Sequence, residues 1–212
     1  MMNPSAFSRR WVLLLGLAAA PLFLAGPAAA YTPEEAQQYV ADNIHKGLDI
    51  LNNKALSSDQ RRSQFEQFLL GLVSVNRIAD FTLGNYRRSA SPADLEAFHA
   101  AFQNYAVALY QSYFSKYAGQ TLKVTGVKAN GPDDFIVATN LINPNDHSGQ
   151  PPAEVDFRVR TDTGKPEVRD VAYAGIWLAL EERDQFTAFL GQNGGNVRTL
   201  VTNLAGMTKQ IK

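Results

Sequence analysis

The side chains of this 212-residue sequence that could do chemistry are few and scattered. His45, His99 and His147 are its three histidines, and no two share a helix at the spacing that holds a metal ion. His147 falls among Asn, Asp, Gly and Pro, a composition that predicts a solvated turn. His99 lies beside an apolar run and reads as a structural histidine with a hydrogen-bond partner rather than as a general base. The chain has no cysteine, which excludes disulfides, thiolate nucleophiles, thiolate zinc sites and iron–sulfur clusters.

The carboxylates lead to the same reading. Asp156 alternates with apolar neighbours and shares its polar side with Arg158, so a surface ion pair is expected there. If Val171 and Tyr173 face inward, Asp170 faces out. No Gly-rich phosphate loop follows a strand, no Gly-x-Ser-x-Gly elbow occurs, and Gly194-Gly195 reads as a hinge or cap. No catalytic residue, metal site or cofactor is expected, and the chain does not read as an enzyme.

The elements that would position these residues fall into three stretches: helical over 31–118, strand-rich over 119–180, and helical again over 181–212. Thr32-Pro33-Glu34-Glu35 is a capping box that opens a helix to about Asn52, with Val40, Ile44, Leu48 and Leu51 as its stripe. A second helix from Ser57 or Ser58 carries Phe65, Phe68, Leu69 and Leu72, and a short third one from about Asn76 ends at Gly84. Residues 91–117 form a long helix capped by Ser91, with a broad aromatic face. From Thr121 the apolar period changes from 3.6 to 2. Strands are expected at 121–129, 134–142, 154–161 and 166–173, with a possible fifth at 176–180. Short turn-rich links between them demand antiparallel pairing. Val155, Phe157 and Val159 make one face dry, and the helices of the first half, above all 91–117, are the expected cover. Two further helices, at 181–190 and from about Asn196, close the chain. The expected fold is α+β: a curved antiparallel sheet of four to five strands, a half-barrel, covered by N-terminal and C-terminal helices.

The first thirty residues stand apart. Arg9-Arg10, an apolar run from Val12 to Leu24 and Ala28-Ala29-Ala30 compose a secretory signal peptide cleaved after Ala30. The run, broken at Pro21, is short of the roughly 20 residues that span a bilayer. The arginine pair fits either general or twin-arginine export. Its removal leaves residues 31–212 as one domain with 18 basic and 20 acidic side chains, a balance that gives no general attraction to nucleic acid. The expected location is the periplasm.

Leu83-Gly84-Asn85-Tyr86-Arg87-Arg88-Ser89-Ala90-Ser91-Pro92, Phe98-His99-Ala100-Ala101-Phe102 and the aromatic run 105–117 together resemble the MlaC / toluene-tolerance family of periplasmic phospholipid-binding proteins. The hopanoid-associated HpnM-like branch is similar as well. Asn143-Pro144-Asn145, Pro151-Pro152 before Val155-Asp156-Phe157-Arg158-Val159, Asp170-Val171, Ala174-Gly175-Ile176, Arg183 and Phe186 continue the match in order. Trp177 stands where the family usually has a small polar residue, and the loop 143–150 is longer than is typical.

The resemblance implies an NTF2-like half-barrel whose acyl-chain ligand lies between sheet and helices. It also implies a shuttle for a phospholipid, or a hopanoid-like lipid, between two partners. These are an inner-membrane ABC transporter complex with its substrate-binding ring and an outer-membrane lipoprotein complex. On this reading the cavity is lined by Val75, Ile78, Phe81, Phe102, Tyr105, Leu109, Val124, Phe135, Val137, Val155, Phe157, Val159, Val171 and Trp177.

Two alternatives stay open. A half-barrel of this shape also suits a small isomerase or dehydratase, with Asp170, Tyr173 and Tyr113 as its candidate inward acids or bases. A solid-core envelope interaction module would instead use Arg61, Arg62, Arg87 and Arg88 as docking charges.

Overall fold

The helices that open at Pro33, Ser58 and Pro92 each begin where the sequence supplies a cap. The computed structural model describes residues 31–211, so the expected signal peptide lies outside the described residues. Helix α1 (Pro33–Leu51) opens on the capping box: the Thr32 hydroxyl accepts the Glu35 N–H at 3.2 Å and the Glu35 carboxylate accepts the Thr32 N–H at 2.8 Å. Helix α2 (Ser58–Leu72) repeats the device with Ser57 and Gln60. Helix α3 (Val75–Thr82) runs into a 3-10 turn, Gly84–Arg88, and α4 (Pro92–Phe114) starts from Ser91, whose hydroxyl accepts the Asp94 N–H.

Five strands follow: β1 (Thr121–Gly131), β2 (Asp134–Ile142), β3 (Glu154–Arg160), β4 (Glu167–Tyr173) and β5 (Ile176–Trp177). They pair in chain order as an antiparallel meander that does not close. Bulges interrupt β1 on either side of Val127 and β4 opposite Arg158–Val159, which bends and twists the sheet. The β4–β5 turn uses Ala174 and Gly175 at φ 49° and 82°, the left-handed pair that a two-residue hairpin requires. The fifth strand is two residues long, because Leu178 already begins α5 (Leu178–Gln192). Helix α6 (Val197–Ile211) completes the chain. The expected α+β class, an open curved sheet between flanking helices, is the observed one.

Two cores hold this arrangement, and they are separate. In the first, Ala36 and Val40 of α1 pack on Phe135, Val137 and Val159 of the sheet. In the second, α3, α4, α5 and α6 bury Leu83, Phe98, Phe102, Phe186, Leu190, Leu200 and Leu204 among themselves. Phe186 meets Phe98 and Phe102 edge-on at 6.2 and 6.4 Å, pairs worth about 0.5–1.5 kcal/mol each beyond their buried area. A first-half helix covers the sheet as expected, but the emphasis on 91–117 is corrected: α1 lies on the dry face of β1 and β2, while α4 packs chiefly against α6. The cause is the width of the α4 apolar face, which three helices consume before the sheet can reach it.

The opposite face of the sheet carries an ion-pair network rather than bare charges. Arg158 donates from Nε and Nη2 to the two oxygens of Asp134 at 2.9 and 2.7 Å, and Asn130 adds a third bond. Asp156, the partner expected for Arg158, makes no ion pair among the described residues; Asp134 lies diagonally across the β2–β3 register and takes that place.

Candidate functional site

The space between the two cores is not filled. On one side α1 and α2 are held close by Gly47, where an added Cβ would lie 3.0 Å from the Phe65 ring. Below them is a lobe of about 250 Å³, walled by Val40, Ile44, Leu48 and Leu51 of α1, Phe65, Phe68, Leu69 and Leu72 of α2, and Leu122, Leu141, Phe157 and Val168 of the sheet. A second lobe of about 230 Å³ lies toward α4, among Leu69, Leu70, Leu72, Val73, Val75, Ala106, Val107, Tyr110, Phe157, Val168 and Val171. Leu69, Leu72, Phe157 and Val168 belong to both walls, so the lobes adjoin with the Phe157 ring at their junction. A parallel bridge between Val73 and Val168 ties the α2–α3 link to the β4 edge.

Polar groups in these walls are sparse. The first lobe has Tyr39, Asn43, Tyr117, Gln120 and Thr121, and the second has Glu66 and Tyr110. Glu66 is the one ionisable carboxylate among them. No nucleophile stands beside a base, and among the described residues no three acidic or histidine side chains are grouped to hold a metal ion. Such a space offers hydrocarbon a place out of water and asks for no hydrogen bonds in return.

Of the fourteen residues expected in the lining, Val75, Phe157 and Val171 lie in the cavity wall. The other eleven are placed elsewhere. Phe135, Val137 and Val159, with Val124 beside them, are packed under α1. Val155 is buried on the same sheet face, paired with Thr139 and outside both lobes. Phe102 and Tyr105 belong to the helical core, and the half-buried Leu109 follows them on α4. Ile78 and Phe81 border a groove on the other side of the sheet with Arg158, Arg160 and Asp170, and Trp177 precedes α5, half-buried. Half of the wall residues come instead from α1 and α2. Their stripes are visible in the sequence, but nothing there says that a void rather than a packed layer lies beneath them.

The residues of the two alternative readings are engaged or exposed. Asp170 is mostly buried, yet its carboxylate accepts the Val171 and Ala179 N–H groups at 2.8 Å each and so caps α5, whose own first residues offer no side-chain cap. Burial pushes its pKa up against the pull of those bonds. Tyr173 and Tyr113 are exposed. The four arginines considered for docking each have a partner in the chain: Arg61 donates to the carbonyls of Asn53 and Leu56, Arg62 pairs with Asp59, Arg87 with Asp80, and Arg88 with Asn85. His99 is satisfied by Asp80 at 2.7 Å, the structural role expected of it. Burial raises the Asp80 pKa, but the bonds from His99 and Arg87 outweigh it and hold the carboxyl below its ordinary value.

Comparison with known proteins adds two findings. The family model described as MlaC protein matches residues 41–206. Among solved structures, the chain superimposes on a phospholipid-binding protein from Ralstonia solanacearum, determined in complex with a phospholipid. The TM-score is 0.70 at 20% identity, over 83% of this chain and 98% of that one.

Proposed function

We propose, since this chain belongs to the MlaC protein family, that it is a lipid carrier of the periplasm which holds the acyl chains of a phospholipid in the two-lobed cavity. The observation that carries the reading is the cavity itself: adjoining apolar lobes of about 250 and 230 Å³, with a single carboxylate in their walls. Their joint size is in the range of roughly 300–1,000 Å³ usual for ligand sites. The similarity in fold to a protein solved with a phospholipid supports the same choice of ligand.

The physical need for such a protein follows from hydration. Each methylene moved out of an apolar phase costs about 0.8 kcal/mol, so two chains of about sixteen carbons cost on the order of 20 kcal/mol or more in water. Unaided transfer between two membranes is therefore very slow. A carrier replaces the bilayer interior with Phe, Leu and Val walls and leaves the charged head group in solvent. In this proposal export is directed by the segment before Tyr31. The protein exchanges lipid between an inner-membrane ABC transporter complex, with its substrate-binding ring, and an outer-membrane lipoprotein complex. No covalent step is required of it.

The test is native mass spectrometry of protein purified without detergent, together with uptake of labelled phospholipid from vesicles. A bound phospholipid is expected, and F157D should lose at least nine-tenths of the uptake while keeping the wild-type circular dichroism spectrum. A co-purified polycyclic lipid would change the cargo to a hopanoid-like one. Absence of any lipid, with no uptake by the wild-type chain, would overturn the proposal.

A further inference from the structure

Of the helices, α2 alone lines both lobes. Phe65 and Phe68 stand in the first, Glu66 and Leu70 in the second, and Leu69 and Leu72 in both. Helix α1 walls only the first lobe and α4 only the second, so a shift of α2 opens the whole space at once.

The two flanks of α2 are unequal. Toward α1 the fit is close: a Cβ added at Gly47 would lie 3.0 Å from the Phe65 ring and 3.2 Å from that of Phe68. The first turn of α2 is also tied to the link that precedes it, because Arg61 donates to the carbonyls of Asn53 and Leu56 at 3.3 and 2.8 Å. Toward α4, the described residues make a single hydrogen bond, from the Gln111 amide to the Glu66 carboxylate at 3.2 Å. Beside it lies one aromatic pair, Phe65 with Tyr110, at a centroid distance of 5.4 Å.

The seam with α4 also carries a cost. The Tyr110 hydroxyl is closed off from solvent and has no hydrogen-bond partner. The charges that act on it, Glu66 and Arg62, both belong to α2, which is therefore the helix that shuts it in. Burial, and then the Glu66 charge, push its pKa up, so the phenol keeps a proton that it has nowhere to donate. Tyr105, on the same helix, shows the ordinary outcome: its hydroxyl donates to Glu182 at 2.8 Å. An unmade bond of this kind penalises the closed state, and water satisfies the hydroxyl once α2 moves away.

We infer that lipid enters and leaves through the seam between α2 and α4. Helix α2 swings out with α1 as its support, the Glu66–Gln111 bond is the latch, and the stranded Tyr110 hydroxyl keeps the closed state from being too stable to open. The inference rests on the carrier reading and adds a route to it.

The chain has no cysteine, so an introduced pair of thiols is the only one that a reagent can join. E66C/Q111C, joined by a short reducible bis-methanethiosulfonate linker, should take up labelled dipalmitoyl phosphatidylcholine from vesicles about tenfold more slowly than the same protein unlinked, and reduction should restore the rate. Arg198 and Asp94, 2.7 Å apart, join α6 to α4 away from α2, and D94C/R198C linked in the same way should keep the wild-type rate. Y110F leaves no hydroxyl to relieve. It should load and unload about fivefold more slowly, with the amount bound at equilibrium unchanged, and its empty form should melt no lower than wild type. Full-rate uptake by linked E66C/Q111C, equal loss in both linked pairs, exchange by Y110F as fast as wild type, or a clear drop in its Tm overturns the inference while leaving the carrier reading intact. Absence of uptake by the wild type removes the carrier reading itself.

Discussion

Asp134 illustrates how a single side chain ties two strands together. Its side chain is 7% exposed, and it receives three hydrogen bonds from Arg158 and Asn130 with Arg160 at 3.7 Å. Burial raises its pKa, but these bonds outweigh it and leave the carboxyl below its ordinary value. A lowered folded pKa means stability that is present above the unfolded value of about 3.9 and lost as pH falls through the folded one. D134N should therefore lower unfolding free energy by about 2 kcal/mol at pH 7, and the gap to wild type should close in acid, once the pH is below the lowered pKa of the folded carboxyl. Urea midpoints at the two pH values check this; a gap that persists in acid would mean that the charge is not what matters. Asp170 and Glu182 have the opposite sign, because burial raises both pKa values and their ionisation costs stability as pH rises through them. The D134N comparison isolates one group from that background.

Among the α-helices, α2 is the least anchored. It has no fully buried residue, although Phe65, Phe68, Leu69 and Leu72 all turn toward the cavity. Its neighbours are α1 on one side and α4 on the other, with no extensive contact to the sheet. A helix whose apolar stripe rests on empty space gains little from packing and opens at low free-energy cost. In the lipid-free protein, amide hydrogens of α2 should exchange at least tenfold faster than those of α4 and should slow by a similar factor when lipid fills the lobes. Hydrogen-exchange mass spectrometry resolves the two helices, and equal protection of both in the empty protein would contradict the assignment. Helix α4 serves as the reference because Phe98, Phe102, Tyr105 and Ala108 are all buried.

At the scale of the whole molecule, a ligand that fills the gap between the cores stabilises only the folded state. At a free concentration of 100 times its Kd it adds about 2.7 kcal/mol, which for a domain of this size raises Tm by roughly 5–10 °C. Calorimetry of lipid-free and lipid-loaded protein measures that shift, and coincident transitions would mean that the lipid is held outside the fold. The gap is also where sequence and structure divide. Capping residues at Thr32, Ser57 and Ser91, the alternation in β3 and the short turn-rich links are local physics. For that reason the order of the helices and the antiparallel meander could be read from the chain. The stripes of α1, α2 and α4 were equally legible as apolar faces. An apolar stripe, however, says only that a side will leave water, and it is silent on what it meets. Tertiary packing alone decided that α4 joins α6, that α1 takes the sheet, and that Phe135 and Val159 become core. The same packing made Phe65, Leu69 and Phe157 the walls of a void, because the spacing between two packed layers depends on every helix at once.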